Sequence, residues 1–305
     1  MSNVITAIDK TGSFRVYLAV TTDMVREVCS IHKTTPVASA ALGRVMTGAG
    51  LMGLQLKNDT DKLTVIFKGD GPIKQVLATA FRDGTVKGFA ANPYVDIPLK
   101  KNGKLDVGGS LGVGDLTVIK DLGLKDPYVG TIALVDGEIA DDLTAYYYIS
   151  EQQNTAISLG VKVDRDYSVK VAGGMFIQML PNPKEEAIDE LEKMIDKLPP
   201  ITTLIEEVTE GNPLLTEDGI LEKLLERIFK DVKDEFGLQI LDRENLRFKC
   251  DCSKEKLSRA LMTIGVRDLT EILEEDKKAE LTCQFCLKKY LFNEEELKEM
   301  LERIK

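Results

Sequence analysis

The sequence predicts an α+β fold in three parts: an N-terminal mixed α/β, sandwich-like domain with a mainly antiparallel sheet, a helical linker, and a small cysteine-containing domain. Three observations predict it. Short β-branched and aromatic runs between glycine and aspartate turns dominate the N-terminal part, and apolar residues at helical spacing follow. Four of the five cysteines then lie near the C-terminal end. We expect domains at 1–180 and 238–305, joined by a linker at 181–237.

The first domain is expected to combine strands with a few helices. Runs at 13–20, 62–67 and 130–135 are β-branched and aromatic and are bounded by turn residues, as strands are. The segment 36–56 is rich in alanine, leucine, methionine and glycine, which predicts a buried helix. A second helix is expected at 141–159, around three consecutive tyrosines. Strands grouped in this way favour an antiparallel sheet.

The linker is expected to consist of short amphipathic helices. At 184–198, 201–208 and 219–229 the apolar residues fall on one helical stripe, and dense charge lies on the other face. Such helices are stable only when the stripe packs on another surface. Two interpretations remain open here: an ordinary helical connection packed on the first domain, and a marginally stable linker that can undock.

Charge and composition exclude several classes of function. Of 40 basic and 50 acidic residues, 19 and 19 lie in residues 1–183, and 21 and 31 lie in residues 184–305. The whole net charge of −10 therefore lies in the C-terminal part, which would repel nucleic acid. The glycines of 108–114 are not followed by the Gly-Lys-Ser/Thr of a phosphate loop, so no nucleotide is expected. No apolar run reaches the roughly 18–20 residues of a membrane span.

The N-terminus has neither the basic start nor the apolar core of a secretory signal. We therefore expect a cytoplasmic protein, in a compartment where thiols are kept reduced. This expectation favours metal or redox chemistry over a framework of structural disulfides.

Four cysteines form the candidate site, as Cys250-Asp-Cys252 and Cys283-Gln-Phe-Cys286. Two close thiol pairs are typical of a closed, structural four-thiolate zinc site, with iron as a minor alternative. The same sulfur atoms can instead form two disulfides. A domain this small seldom gains more than about 3–5 kcal/mol from its core alone, whereas a structural zinc contributes an apparent ~10–16 kcal/mol. We therefore expect a C-terminal zinc-binding domain that loses its order when oxidation removes the ligands.

Local signals place the second thiol pair in a hairpin. Segments 281–283 and 289–292 are expected to pair, with Cys286 in the turn. Asp268 and Asn293 each precede a glutamate by three residues, a spacing that predicts a capping box and a helix start at both.

The remaining candidates for chemistry are Cys29 and His32. The two lie three residues apart, so on a helix they could form a Cys–His dyad. The favoured interpretation is structural, with Cys29 as a small buried hydrophobe. No catalytic residue is assigned, and the protein is not expected to be an enzyme.

Several motifs together resemble those of the bacterial 33-kilodalton redox-regulated heat-shock chaperones, over essentially the whole chain. Besides the two cysteine pairs, they are Gly108–Leu124, Pro127-Tyr-Val-Gly130, Gly137-Glu-Ile-Ala-Asp-Asp-Leu143, and Ser150-Glu-Gln152 ahead of Leu159-Gly-Val161. The sequence departs from the family pattern after Gln152, where members often carry a proline.

The resemblance implies a holding chaperone that is inactive when reduced and bound to one zinc ion through Cys250, Cys252, Cys283 and Cys286. It further implies that oxidation forms the disulfides Cys250–Cys252 and Cys283–Cys286, releases zinc, and unfolds the C-terminal domain and linker. The exposed apolar surface would then hold unfolding client proteins without ATP, in a homodimer, under oxidative and heat stress.

Two other functions remain as alternatives. A zinc-ribbon module that binds nucleic acid is disfavoured by the acidic C-terminal part. A thiol–disulfide oxidoreductase would use Cys283 and Cys286, but such enzymes place the pair at a helix start, which lowers the thiol pKa. The predicted hairpin turn does not provide that setting.

Overall fold

The computed structural model describes residues 3–212 and 214–304. The chain forms two compact units, which are adjacent in sequence at Phe248 and Lys249. Residues 238–248 thus belong to the first unit. The boundaries at 180 and 237 that the sequence predicts for the domains and the linker stay a prediction. The α+β class is confirmed. No helix within the described ranges is long and apolar enough to cross a membrane.

The strands of the first unit form two sheets. The strands are β1 (Val4–Asp9), β2 (Phe14–Val20), β3 (Lys62–Gly69), β4 (Gln75–Phe81), β5 (Thr85–Ala90), β6 (Gly114–Asp121), β7 (Tyr128–Ala133), β8 (Thr155–Val163), β9 (Val169–Met179), β10 (Leu238–Glu244) and β11 (Arg247–Phe248). The five-stranded sheet has the order β10-β1-β2-β9-β8 and the six-stranded sheet the order β11-β5-β4-β3-β6-β7. Neighbouring strands are antiparallel except β11 and β5, which run parallel.

The helices of this unit fall into an early and a late group. The early helices are α1 (Thr22–His32), α2 (Pro36–Gly53), α3 (Val107–Leu111) and α4 (Ala140–Ser150). The late helices are α5 (Glu185–Ile195), α6 (Ile201–Gly211) and α7 (Glu217–Phe229), followed by a 3-10 turn at Asp234–Phe236. The three helices of the late group occupy the segments in which the sequence predicts amphipathic helices.

Helix α2 is the centre of the main core. It packs against strands of both sheets, and almost every one of its residues is buried. Its composition makes this possible, because Arg44 is its only charged residue and its glycines admit close neighbours. A methyl group on Gly48 would lie 2.7 Å from a side-chain carbon of Leu143 in α4.

A second core lies on the other face of the five-stranded sheet. Apolar residues of β1, β2 and β9 form one buried cluster there with the stripes of α5, α6 and α7, which includes Phe14, Leu18, Leu191 and Leu224. The late helices are thus buried on their apolar side, and several of their carboxylates form ion pairs with neighbouring strands, as Glu206 does with Lys162 and Lys170.

The second unit is small and has a separate core. It contains α8 (Lys254–Met262), α9 (Val266–Glu275), the hairpin of β12 (Ala279–Thr282) and β13 (Lys289–Phe292), and α10 (Glu294–Ile304). Its buried cluster comprises Leu261, Leu269, Tyr290, Phe292, Leu297, Met300 and Leu301. Few large side chains stabilise the fold of this unit.

Two expectations about helices are wrong. The helix predicted over 141–159 ends at Ser150, and after Gln152 (φ 52°) the chain forms β8, which pairs with β9. Tertiary pairing overrides the local pattern here. Asp268 lies inside α9, which begins two residues earlier after Gly265 (φ 95°). The capping box of Asn293 and Glu296 is confirmed by reciprocal hydrogen bonds of 3.0 Å.

Candidate metal centre

The second cysteine pair lies in the turn of the β12–β13 hairpin. The Cys283 N–H donates to the carbonyl of Lys288 at 3.0 Å, and the Leu287 N–H donates to the carbonyl of Cys283 at 2.8 Å. Leu287 adopts a left-handed conformation with φ 58°. These bonds fold the chain tightly around Cys283 and Cys286, so that both side chains point toward one space. The predicted hairpin is confirmed, and this pair does not begin a helix.

The first pair precedes α8 in a short extended segment. Ser253 caps that helix, because its side chain accepts a hydrogen bond from the N–H of Lys256. Lys256 also forms an ion pair with Asp251, the residue between the two cysteines. These contacts fix the segment to the first turn of α8. Cys250 and Cys252 can therefore approach the cysteines of the hairpin.

The four sulfur atoms converge. All lie within 4.8 Å of one another, with 3.6 Å between the Sγ atoms of Cys250 and Cys283 and 3.4 Å between those of Cys252 and Cys286. Thiolates at about 2.3 Å from a tetrahedral zinc ion are roughly 3.8 Å apart. The separations fit such an ion and are far from a disulfide bond of about 2.05 Å. Sulfur-only donors favour zinc, copper(I) or iron over hard cations.

Backbone N–H groups point at the sulfur atoms as well. The Cys252 N–H donates to the sulfur of Cys250, and the Lys288 N–H donates to that of Cys286. Hydrogen bonds to a thiolate stabilise its charge. The turns that bring the sulfur atoms together therefore also prepare them to act as ligands.

The pKa values within the cluster diverge. Burial raises the pKa of Cys250, and the neighbouring thiols add to this rise. Burial acts in the same direction at Cys252, but hydrogen bonds with Tyr290 and the other sulfurs outweigh it and lower its pKa to about 7. Burial raises the pKa of Cys286. Four adjacent thiolates repel one another, so a bound cation is needed to deprotonate them all.

Tyr290 in β13 contacts the cysteine cluster, and the sequence did not single it out. Its hydroxyl lies 3.2 Å from the sulfur of Cys252 and 3.2 Å from the carbonyl oxygen of the same residue. The only available signal was the alternation of Lys289-Tyr-Leu-Phe292, which points Tyr290 and Phe292 inward. That pattern predicts core residues and gives no indication of a contact with a ligand.

Cys29 belongs to the first unit. It is buried in the main core beside Val28 and Met24. Burial raises the pKa of its thiol, although hydrogen bonds with Thr34 and Ser39 oppose the rise. The thiol therefore stays protonated and packs as a small apolar group. His32, at the end of α1, is buried too.

Comparison with known proteins places this α+β chain, with its compact four-cysteine unit, in a class of chaperones. A family model described as Hsp33 protein matches residues 2–293. The 33 kDa chaperonin of Clostridium perfringens is 46% identical over 301 residues, which are 98% of this chain and 91% of that protein. The 33 kDa chaperonin of Clostridioides difficile is 45% identical over 302 residues, 99% of both chains.

The fold agrees with a solved structure of the same family. The crystal structure of the 33 kDa chaperonin (heat shock protein 33 homolog) from Thermotoga maritima matches with a TM-score of 0.83 and 35% identity, over 99% of this chain and 98% of that one. The chain belongs to the Hsp33 family and is a chaperone of that family. The expected resemblance is confirmed.

Proposed function

We propose that this protein is a redox-regulated, ATP-independent holdase. In the reduced state one zinc ion is bound by Cys250, Cys252, Cys283 and Cys286, and the chaperone is inactive. Oxidation of these thiols removes the metal, unfolds the second unit and the helices α5 to α7, and exposes apolar surface to unfolding client proteins. The active form is a cytoplasmic homodimer that acts under oxidative and heat stress.

The convergence of four sulfur atoms from two distant motifs carries this proposal. The motifs are separated by about thirty residues, and their sulfur atoms meet where the start of α8 approaches the β12–β13 turn. The remaining core of the unit is a single small cluster. A metal held by both motifs is therefore the main link between the two halves of the unit, and apparent stabilisation by structural zinc is ~10–16 kcal/mol.

Oxidation of the four metal-binding thiols requires only the thiols themselves and a peroxide. A thiolate attacks a peroxide oxygen, the O–O bond breaks and hydroxide leaves, which gives a sulfenic acid. A second thiol displaces water from it and forms the disulfide. Pairing within each motif, Cys250–Cys252 and Cys283–Cys286, uses all four ligands and leaves no covalent link between the motifs. Pairing between the motifs would crosslink the unit and oppose its unfolding.

Chain connectivity offers a route from the second unit to the late helices. Lys249 follows β11 directly, and β11 is preceded by β10, an edge strand whose residues are mostly exposed. Beyond β10 lies α7, which shares the second core with α5 and α6. If the second unit unfolds and the unfolding continues toward the N-terminus through this weakly buried strand, the late helices are the next elements that it reaches.

The late helices cover the surface that the holdase would expose. Ile201, Leu204 and Ile205 of α6 are buried against the five-stranded sheet. On the polar side, Glu206 of α6 pairs with Lys170 of β9, a contact that is partly exposed and contributes little. Apolar burial holds α6, and the same surfaces become available to a client when it undocks.

The test is suppression of aggregation of a chemically unfolded client. We expect peroxide-treated protein to prevent aggregation at equimolar ratio and reduced, zinc-loaded protein to have little effect. The Cys29→Ser variant should switch like the wild type, whereas Cys283→Ser should not require peroxide. Equal protection by the reduced and oxidised wild-type protein would contradict the proposal.

The disulfide pairing has its own measurement. Proteolysis of the oxidised protein between the motifs, followed by mass spectrometry without reduction, separates the two possibilities. If the disulfides form within the motifs, proteolysis releases two separate peptides. Each contains one disulfide and is therefore two mass units lighter than its reduced form. A single covalently joined product would show pairing between them.

A further inference from the structure

We propose that Tyr290 is the positioning residue of the metal centre: its hydroxyl donates a hydrogen bond to the metal-bound sulfur of Cys252 and holds that ligand in place. This inference rests on the proposed function, since it concerns a loaded four-thiolate site. The contact lies wholly within the second unit.

The Tyr290 hydroxyl has one proton to donate and two possible acceptors within reach. The sulfur and the carbonyl oxygen of Cys252 both lie 3.2 Å from the Tyr290 oxygen. In a metal-free thiol, the S–H can donate to Tyr290, and the hydroxyl proton is then free to bond the carbonyl. A coordinated sulfur has no proton to donate. Donation from Tyr290 to the sulfur then becomes the one arrangement that satisfies the thiolate.

The hydroxyl is held at this site by packing and pairing. Tyr290 is only 9% exposed and belongs to the core of the second unit. Its backbone pairs with Leu281 across the hairpin, and the ammonium group of Lys288 lies 5.2 Å from its ring centroid. Because β13 follows directly from the turn that carries Cys286, one hairpin supplies two ligands and also the donor for a ligand on the opposite motif.

This arrangement links the motifs by a second route beside the metal. Outer partners that orient a ligand typically change metal affinity by about 10–100-fold when they are removed. A donor to a thiolate also withdraws electron density from the sulfur, so its loss should make charge transfer from sulfur to metal easier. These two effects give two independent measurements.

The experiment compares wild-type protein with Tyr290→Phe, which keeps the ring and removes the hydroxyl. Zinc affinity is measured by competition with a chromogenic chelator, and the sulfur-to-metal charge-transfer band is recorded with Co²⁺ in place of zinc. We expect about tenfold weaker zinc binding and a band shifted to lower energy. Tyr128→Phe, which removes a hydroxyl bonded to a backbone carbonyl in the first unit, should change neither.

The possible results separate this inference from the proposed function. Unchanged affinity together with an unchanged band would overturn the role of Tyr290 and leave the metal centre intact. Weaker binding with an unchanged band would overturn it as well, because loss of packing alone would explain the result. If wild-type protein binds no zinc, the proposed function fails first, and the role of Tyr290 fails with it.

Discussion

Gly160 in β8 faces Thr202 in α6 so closely that a methyl group on Gly160 would lie 2.6 Å from Cγ2 of Thr202. The next nearest atom belongs to Ile201 of the same helix, at 3.0 Å. The missing side chain of this strand residue therefore allows the first turn of α6 to dock closely on β8.

A larger residue at this position should displace the helix without damaging the strand. Gly160→Val adds a β-branched side chain that suits a strand, and overpacking typically costs about 1–3 kcal/mol. We expect the reduced, zinc-loaded variant to bind more of a dye that fluoresces on apolar surfaces and to suppress client aggregation without peroxide.

Gly211→Ala is the matched control for this variant. Gly211 ends the same helix, and a methyl group there meets no atom within 4 Å. The control should behave like the wild type. Unchanged dye binding by Gly160→Val would show that displacing α6 is not sufficient to expose the surface.

Removal of one ligand should destabilise the second unit alone. We expect Cys286→Ser to lose stoichiometric zinc and the dispersed amide signals of residues 249–304 in an NMR spectrum, because the remaining core is small. Signals from the first unit should persist. Cys29→Ser, in the main core, should retain one zinc per chain. Full dispersion of the second unit in zinc-free protein would contradict the expected dependence on metal.

Replacement of Leu287 by glycine should stabilise the second unit. Its φ of 58° is left-handed, a conformation that costs a residue with a Cβ about 1–2 kcal/mol, and its side chain is 43% exposed. We expect Leu287→Gly to raise the free energy of unfolding of the zinc-bound second unit by about 1 kcal/mol. Leu287→Ala removes the same contacts and keeps the strain, so it should show no gain. Equal stability of the two variants, measured by denaturant titration, would argue against strain.

Glu138 should make the first unit sensitive to acid. Burial alone would raise the pKa of Glu138, but hydrogen bonds from Lys100, the Gly108 N–H and Arg44 outweigh it and lower the pKa below its usual value. Ionised Glu138 therefore stabilises the fold above the unfolded pKa of about 4.3. That contribution is lost as the pH falls through the lower, folded pKa.

Calorimetry of the metal-free chain between about pH 3 and 7 tests this assignment. Glu138→Gln should be less stable than wild type at neutral pH and should lose less stability on acidification. The matched control is Glu186→Gln, at an exposed position on the first turn of α5. Parallel stability curves for Glu138→Gln and wild type would rule out Glu138 as a source of the acid sensitivity.

Much of the secondary structure could be predicted from residues that are neighbours in the sequence. The strands at 13–20 and 62–67 and the capping box of Asn293 rest on neighbouring residues, and the structure confirms them. The helix expected through residue 159 failed, because its second half pairs with β9 and local spacing cannot show that partner. The contact of Tyr290 could not be predicted for the same reason. The sequence pattern of an inward-facing aromatic residue is the same whether it contacts a leucine or a metal-binding cysteine.

The sequence by itself determined the α+β class, the amphipathic stripes of the late helices and the identity of the four cysteines, because each depends on residue type and spacing along the chain. Only the tertiary structure decided that α6 docks at Gly160 and that Tyr290 reaches the sulfur of Cys252. It also decided that sulfur atoms of different motifs lie within 3.6 Å of each other. These contacts link segments distant in the sequence, and their distances follow from the packing of strands and helices in three dimensions.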